Sequence, residues 1–380
     1  MENIQTTRTW AEISLEALRH NVRSIRATIP ENCILLGVVK ADAYGHGAPA
    51  VARTLREEGC GYLAVACVQE ALALRRAGET LPILILGAVD AAFAPALAEE
   101  NVTMAVECAE KGRQLSRALR DGQRLKIHIK LDTGMGRLGF PAGDKAALEG
   151  AAEVMRLPGL ECEGVFTHFA VSDMPGGEDY TRRQFELFTA ASAELERLSG
   201  RTFTLRHCAN SGGVLSFRDK GMCLDMVRPG LLTYGIYPEA WRGGIDLTPV
   251  MTLKSRVSAV THHKKGDTIS YGRTWTAERD CTLAVLPIGY ADGLQRCLSG
   301  KLTVLLHGQR VCQVGRICMD MCMLDVTDIK DVKPGDVATV FGSGADGEPT
   351  AAELAELAGT IAYELLCGIS LRVPRILTDE

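Results

Sequence analysis

A lysine closes the apolar run Ile34-Leu35-Leu36-Gly37-Val38-Val39-Lys40, and Ala41-Asp42-Ala43-Tyr44-Gly45-His46-Gly47 follows it. An amine at the end of a buried strand is desolvated, which lowers its pKa and makes it a competent Schiff-base nucleophile. Its plain reading is a surface strand terminus. Further along, Gly134-Met135-Gly136-Arg137-Leu138-Gly139 fits the G-x-G-x-x-G template of a dinucleotide site. Pro141 follows closely, however, and no clean helix opens at the glycines. The strand before them alternates polar and apolar residues (Lys126-Ile127-His128-Ile129-Lys130), whereas a buried parallel strand of a dinucleotide fold is apolar throughout. A tight turn is the better reading. Ser211 stands just after a strand at a helix start, and Gly230 and Leu231 follow Arg228-Pro229. Turn or helix-start N–H groups beside a hydroxyl suit a phosphate monoester.

These residues must be brought together by the elements that carry them. Short β-branched runs alternate with helical patterns through roughly the first 235 residues, the signal for a parallel sheet with crossover helices. Strands are expected at Cys33–Lys40, Tyr62–Cys67, Ile83–Gly87, Val102–Val106, Leu125–Leu131, Cys162–His168, Thr204–Cys208 and Asp225–Arg228. Helices are expected at Ala48–Glu58, Gln69–Ala77, Ala91–Glu99, Ala109–Leu119, Lys145–Met155 and Asp179–Leu198. Eight such units predict an α/β fold with an N-terminal (β/α)8 barrel, with a doubly wound sheet as the alternative. A barrel draws its reactive groups from the C-terminal ends of its strands. Lys40, Asp132 with Arg137, His168, His207 with Asn210 and Ser211, and Arg228 with Gly230 and Leu231 all stand at such ends.

After Trp241-Arg242-Gly243-Gly244, read as a linker, the pattern changes to strand after strand: Leu253–Val260, Thr268–Tyr271, Leu283–Pro287, Leu302–His307, Val311–Gly315 and Val337–Phe341. One helix is expected over Thr350–Cys367, with Thr350 and Glu353 as a capping box. This gives a barrel domain over 1–242 and a C-terminal mostly-β domain over 243–380, with the strand at Thr9–Ile13 free to pair with the second. The 380 residues are 46% hydrophobic and 23% charged, with a net charge of −5, which argues against nucleic acid or an anionic membrane surface as main partner. No signal peptide or membrane-spanning run is visible, so a cytoplasmic protein is expected. The 13 cysteines are scattered through apolar stretches and read as free thiols. Cys318 and Cys322 lack a second pair at zinc spacing, and His262 and His263 beside Lys264 and Lys265 read as a solvated turn. No metal is expected.

The chain resembles the alanine racemase family over nearly its whole length. The motifs that carry the resemblance are Val38 to Gly47, His128 to Gly139, Thr167-His168-Phe169, His207 to Ser211 and Val227-Arg228-Pro229-Gly230. In the second domain they are Ser270-Tyr271-Gly272, Ile288 to Gly293, Gly315 to Asp320 and Tyr363-Glu364. The resemblance implies pyridoxal 5′-phosphate as cofactor, alanine as substrate, D-alanine for peptidoglycan as product, and a homodimer with shared active sites. Lys40 would hold the cofactor as a Schiff base and act as one base; Tyr271 would be the other, supplied to the partner subunit. Tyr44, Ser211, Tyr363 and the backbone of Gly230 and Leu231 would hold the phosphate, with Asn210 and His168 also beside the cofactor. Arg228 would face the ring nitrogen, braced by His207. Arg137, Tyr290, Met319 and Asp320 would bind substrate. Lys130 matches a position that is carbamylated in many members.

The chemistry gives these roles a reason. Racemisation removes the Cα proton from one face and returns it to the other, so two bases on opposite faces are needed. A phenol with an ordinary pKa of about 10 ionises readily only beside cations, and His168 and Arg228 are the candidates for that field. A guanidinium cannot readily give the ring nitrogen a proton, so Arg228 separates this reading from the barrel decarboxylases, whose partner there is acidic. Relatives that handle serine often lose the tyrosine matching Tyr363, which favours alanine over a serine or broad-spectrum racemase. Non-catalytic cofactor-binding modules resemble the barrel alone, whereas this chain has a second domain. Met321 departs from the family, which commonly has glutamine there.

Overall fold

The computed structural model describes residue 6 and residues 8–218, 221–238 and 244–379. The chain enters through β1 (Thr9–Ser14) and a helix over Leu15–Arg26, before any barrel strand. Ser14 caps that helix by accepting the Ala17 N–H, and Leu15, Leu18, Val22 and Ile25 recur on its buried face. Eight parallel strands follow: β2 (Ile34–Val38), β3 (Tyr62–Val65), β4 (Ile83–Ile85), β5 (Val102–Val106), β6 (Leu125–Asp132), β8 (Leu160–Phe166), β9 (Leu205–His207) and β10 (Met226–Val227), with the short β7 (Phe140–Pro141) beside β6. They pair in the order β10-β2-β3-β4-β5-β6-β8-β9. The seam between β9 and β10 is drawn together by Asp225 N–H to Arg206 O at 3.1 Å and Arg228 N–H to Ala209 O at 2.9 Å. A nearly closed barrel excludes the doubly wound alternative. β3, β4 and β5 are buried throughout, as strands covered on both faces must be.

The second sheet is built from β11 (Met251–Arg256), β12 (Ala259–His263), β15 (Cys281–Leu286), β16 (Thr303–Leu306), β17 (Gln309–Val314), β18 (Cys322–Asp325), β19 (Val337–Phe341) and β20 (Arg375–Thr378), joined by β1. Its order is β12-β15-β18-β17-β16-β19-β11-β1-β20. β1 pairs antiparallel with β11 (Ile13 opposite Met251) and parallel with β20 (Ala11 opposite Arg375), so both ends of the chain close in this sheet. The short strands β13 (Thr268–Ile269) and β14 (Trp275–Thr276) form a separate ribbon.

Several expectations need correction. The strand expected over Leu253–Val260 is two strands, because the chain changes partner there: Val257 N–H bonds to Asp336 O and Ser258 N–H to Val285 O. The single helix over Thr350–Cys367 is two, Ala351–Ala358 and Ala362–Cys367. Thr350 and Glu353 do form the capping box, but Gly359, at φ +73°, ends the first helix. His262 and His263 lie on β12, an edge strand of the sheet, and the turn follows them. Tyr271 lies beyond β13, which stops at Ile269, and residues 91–93 form a 3-10 turn ahead of the helix Ala94–Glu99. The helix Leu15–Arg26 and the strands β18 and β20 were not expected. Of the linker Trp241–Gly244, residues 241–243 lie outside the described residues.

Candidate active site

Lys40 leaves β2 and opens an unusual turn. Ala41, Asp42, Ala43 and Tyr44 all have φ between 52° and 55°, a left-handed helical turn made of four residues with side chains. Each such residue costs about 1–2 kcal/mol, so the turn persists only because its surroundings hold it. Glu70 does so by accepting the Ala41 N–H at 2.6 Å and the Ala66 N–H at 2.7 Å. His46, wholly buried, lies with Nδ1 2.9 Å from Ala43 O and 3.0 Å from Tyr44 O. Arg375 of β20 donates to Gly45 O at 2.8 Å. Burial, with the charge of Arg137 nearby, holds the Lys40 amine below the usual lysine range, against smaller opposing influences of Cys367 and Glu70.

Tyr44 is buried beside Tyr363, with ring centroids 5.7 Å apart. Burial raises both phenols, that of Tyr363 to about 12. Tyr363 is hydrogen-bonded to Ser211, whose hydroxyl also accepts the Leu231 N–H at 3.2 Å. A Cβ added at Gly230 would stand 2.6 Å from the Tyr44 hydroxyl, so only glycine leaves that cradle open. Asn210 is otherwise occupied: its Oδ1 caps the helix Ser211–Phe217 through the Gly213 N–H and accepts the Ser172 hydroxyl at 2.7 Å. The glycine motif is a turn. Gly134, Gly136 and Gly139 all have positive φ, and Asp132 accepts the N–H groups of Gly134 and Gly136.

At the end of β10, the strand beside β2, the Arg228 guanidinium is buried. It donates to His207 Nδ1 at 2.7 Å, to Thr167 O at 2.7 Å and to Cys208 O at 3.1 Å. Burial brings it down to about 10, still charged at neutral pH. Lys130 is also buried, its ammonium 4.7 Å from the Phe166 ring, and burial with Arg228 and Arg137 brings it down to about 7. His168 is pushed well below its ordinary value by burial and by the charges of Arg228, Lys130, Arg137 and Lys40. It is therefore neutral, which corrects the expectation that it supplies a positive field; Arg228 keeps its charge.

The remaining candidates sit on turns that follow the barrel: Tyr271 between β13 and β14, and Tyr290, Met319 and Asp320 on loops of the second sheet. Tyr271 is 72% exposed, Tyr290 43% and Met319 53%, so these side chains are on offer to something outside their own domain. Tyr290 N–H bonds to Cys318 O and Ala291 N–H to Met319 O, which ties the two rim segments together. Asp320 is paired with Arg372 at 2.9 Å. Sequence reasoning gave no role to His46, Glu70, His128, Glu163 or Arg375. For His128 a signal existed: the alternation Lys126-Ile127-His128-Ile129-Lys130 puts both lysines and the histidine on one face of β6. Among the described residues, no group of three or more His, Cys, Asp or Glu side chains could hold a metal.

Two family models match the chain: the N-terminal domain of alanine racemase over residues 13–238 and the C-terminal domain over residues 250–377. The chain belongs to the alanine racemase family. The alanine racemase of Desulforamulus reducens is 45% identical over 370 residues, covering 97% of this chain and 98% of that one. The alanine racemase of Methanococcus maripaludis is 42% identical, covering 97% and 98%. Among solved structures, the alanine racemase of Clostridium difficile 630 superposes with a TM-score of 0.93 at 37% identity, covering 99% of this chain and 97% of that one. That of Bacillus anthracis with bound L-Ala-P gives 0.90 at 36% identity, covering 98% and 95%. Alanine racemases are isomerases acting on amino acids and are generally dependent on pyridoxal phosphate, so the barrel site is to be judged against that cofactor.

Proposed function

We propose that this chain interconverts L- and D-alanine with pyridoxal phosphate held at the barrel mouth, by two bases on opposite faces, as a homodimer with shared sites. The carrying observation is a buried Arg228 guanidinium at the end of β10, on the strand paired with β2, whose end carries a desolvated Lys40. The site fits the cofactor. A phosphate monoester suits the pocket of the Ser211 hydroxyl, the Tyr44 and Tyr363 phenols and the helix start at Gly230-Leu231, where an added Cβ would fill the cradle. When bound, pyridoxal phosphate supplies a carbonyl that condenses with amines and a ring that accepts charge from Cα.

The chain's own groups do the rest. Lys40 Nζ, held below the usual lysine range, gives up and retakes a proton at neutral pH more easily than an exposed lysine. Arg228 would meet the cofactor ring as a donor that cannot readily surrender its proton, and so would favour return of the proton to Cα over side reactions. Tyr271 works from the second domain, and its exposure supports delivery to the partner subunit's barrel. Arg137, with Tyr290 and Met319 of the rim, orients the substrate carboxylate. The reading places the enzyme in the cytoplasm, supplying D-alanine for peptidoglycan.

A chiral assay of purified protein with L-alanine, L-serine and other amino acids, with and without pyridoxal phosphate, tests this. Cofactor-dependent formation of D-alanine above all other products is expected. Decarboxylation, or no turnover with saturating cofactor, would overturn it.

A further inference from the structure

A barrel interior is ordinarily filled by layers of aliphatic side chains. Here a file of polar groups runs through it behind Arg228. The Arg228 guanidinium meets His207 Nδ1 at 2.7 Å, His207 Nε2 meets His128 Nδ1 at 2.8 Å, and His128 Nε2 meets Glu163 Oε1 at 3.3 Å. Tyr62 and Thr103 donate to the same carboxylate oxygen at 2.6 and 3.3 Å, and Lys126 stands 3.4 Å from the other. Both histidines are fully buried. The fold makes room for them: the β6–β8 register shifts between Ile127 and His128, and a Cβ at Gly164 would meet the His128 ring at 2.7 Å. Buried polar groups of this kind are costly unless every member is satisfied.

The two ends fix the direction of the file. A guanidinium can only donate and an ionised carboxylate can only accept. His207 must therefore accept at Nδ1 and carry its proton on Nε2, and His128 must do the same. A second proton on either ring would set two donors head to head. Burial lowers the pKa of both rings, with the charge of Arg228 adding to it and, at His128, against the opposing pull of Glu163. Burial would raise Glu163, but hydrogen bonds from His128 and Tyr62 hold it at about 2, so that end remains an acceptor.

We propose that Glu163 is a positioning residue, acting through His128 and His207 to hold the Arg228 guanidinium at the cofactor site. This rests on the reading of Arg228 as the group that faces the cofactor ring. The far carboxylate fixes both tautomers, and the fixed tautomers leave Arg228 a single orientation and no inward path for its proton.

The test uses holoenzyme labelled with 15N-histidine, observing ring N–H resonances, cofactor absorbance and steady-state kinetics. Wild type should show Nε2–H signals from His128 and His207, with His46 as an internal reference. E163L removes the acceptor: both signals should shift or vanish, the cofactor absorbance should move, and kcat should fall about tenfold with KM nearly unchanged. E163Q keeps an acceptor oxygen, so both tautomers should survive with upfield shifts and most of kcat should return. Y62F removes a different hydrogen bond from the same carboxylate and should leave the His207 signal in place. If E163L fails to fold, E163Q and Y62F still decide. The proposal is overturned if either ring carries its proton on Nδ1 in wild type, or if E163Q leaves both signals unmoved. Failure of the Arg228 reading looks different: the ring signals respond to Glu163 while absorbance and kcat do not.

Discussion

Arg8 and Asp292, 284 positions apart, meet in a two-pronged ion pair at 2.7 and 2.8 Å, with the carboxylate wholly buried. Asp292 also accepts the Gly289 N–H at 2.9 Å, and Arg372 approaches it at 3.6 Å. The pair thus ties the segment before β1 to the turn that carries Tyr290. Removing Arg8 strands a buried charge. Because Arg8 is itself a third exposed, R8M should cost about 2–3 kcal/mol, below the value for a fully buried pair. Urea denaturation reads that loss, and KM for alanine should rise as the rim loosens. An R8M enzyme with wild-type stability and KM would show that the clamp holds nothing.

Lys130 gives a pH dependence with a definite sign. Its amine falls from an ordinary 10.5 to about 7 in the folded chain. Between those values the unfolded chain binds the extra proton, so this residue makes stability rise with pH from about 7 to about 10; below 7 its penalty is complete. In CO2-free buffer, K130M should therefore be more stable than wild type at pH 6, on the order of 4 kcal/mol, with the advantage shrinking toward pH 10. Denaturation curves at pH 6, 8 and 9.5 check this, and a constant difference across them would refute it.

With its amine brought down to about 7, Lys130 is partly unprotonated at neutral pH and so open to carbamylation, which would replace a cation crowded by Arg228 and Arg137 with an anion that both arginines can pair with. With 13C-bicarbonate, wild type should show a carbamate carbon resonance that K130M lacks. Identical spectra would leave Lys130 an ordinary, desolvated lysine.

How much of this was legible in the sequence follows from what each signal depends on. The strands β3, β4 and β5 are short apolar runs buried on both faces, and composition alone marks them, whereas β6, β8 and β9 carry charged residues and were legible only from their spacing between helices. The placement of Lys40, Arg228 and Ser211 just beyond strand ends was legible because the alternation of strands and helices fixes where each strand stops. The left-handed turn after Lys40 was not, since Ala41 to Tyr44 have no local preference for positive φ and are held there by distant Glu70 and Arg375. Glu163 was hidden for the same reason: its meaning depends on a register shift between β6 and β8. The break at Val257-Ser258 was invisible because the chain changes partners there without changing composition. The charge of His168 was misjudged because burial, with Arg228 and other basic groups close by, disfavours its proton, and no local pattern announces that setting.

Tyr363 sets the space beside Tyr44, with tilted rings 5.7 Å apart. Truncation to alanine removes a ring from the pocket wall while Ser211 and the Gly230 cradle stay in place. The ratio of kcat/KM for serine to that for alanine should then rise about tenfold, the order expected for a small change in pocket volume. Parallel chiral assays of both substrates read it. An unchanged ratio would move substrate choice elsewhere in the site.

The exposed Tyr271 and the buried barrel group around Lys40 argue for two chains per complete site, and that can be counted. K40A and Y271A each remove one half of every site in their own homodimers, so each should be inactive alone. Mixed with free subunit exchange, half the dimers are hybrids. In each hybrid one site carries both defects and the other carries none. Activity should recover to about a quarter of wild type. Within a single-chain site every hybrid site keeps one defect and no activity returns. A dead mixture, with exchange confirmed by mass spectrometry of differently labelled subunits, would refute the shared site. Recovery near a quarter would place Tyr271 opposite Lys40 across the subunit boundary.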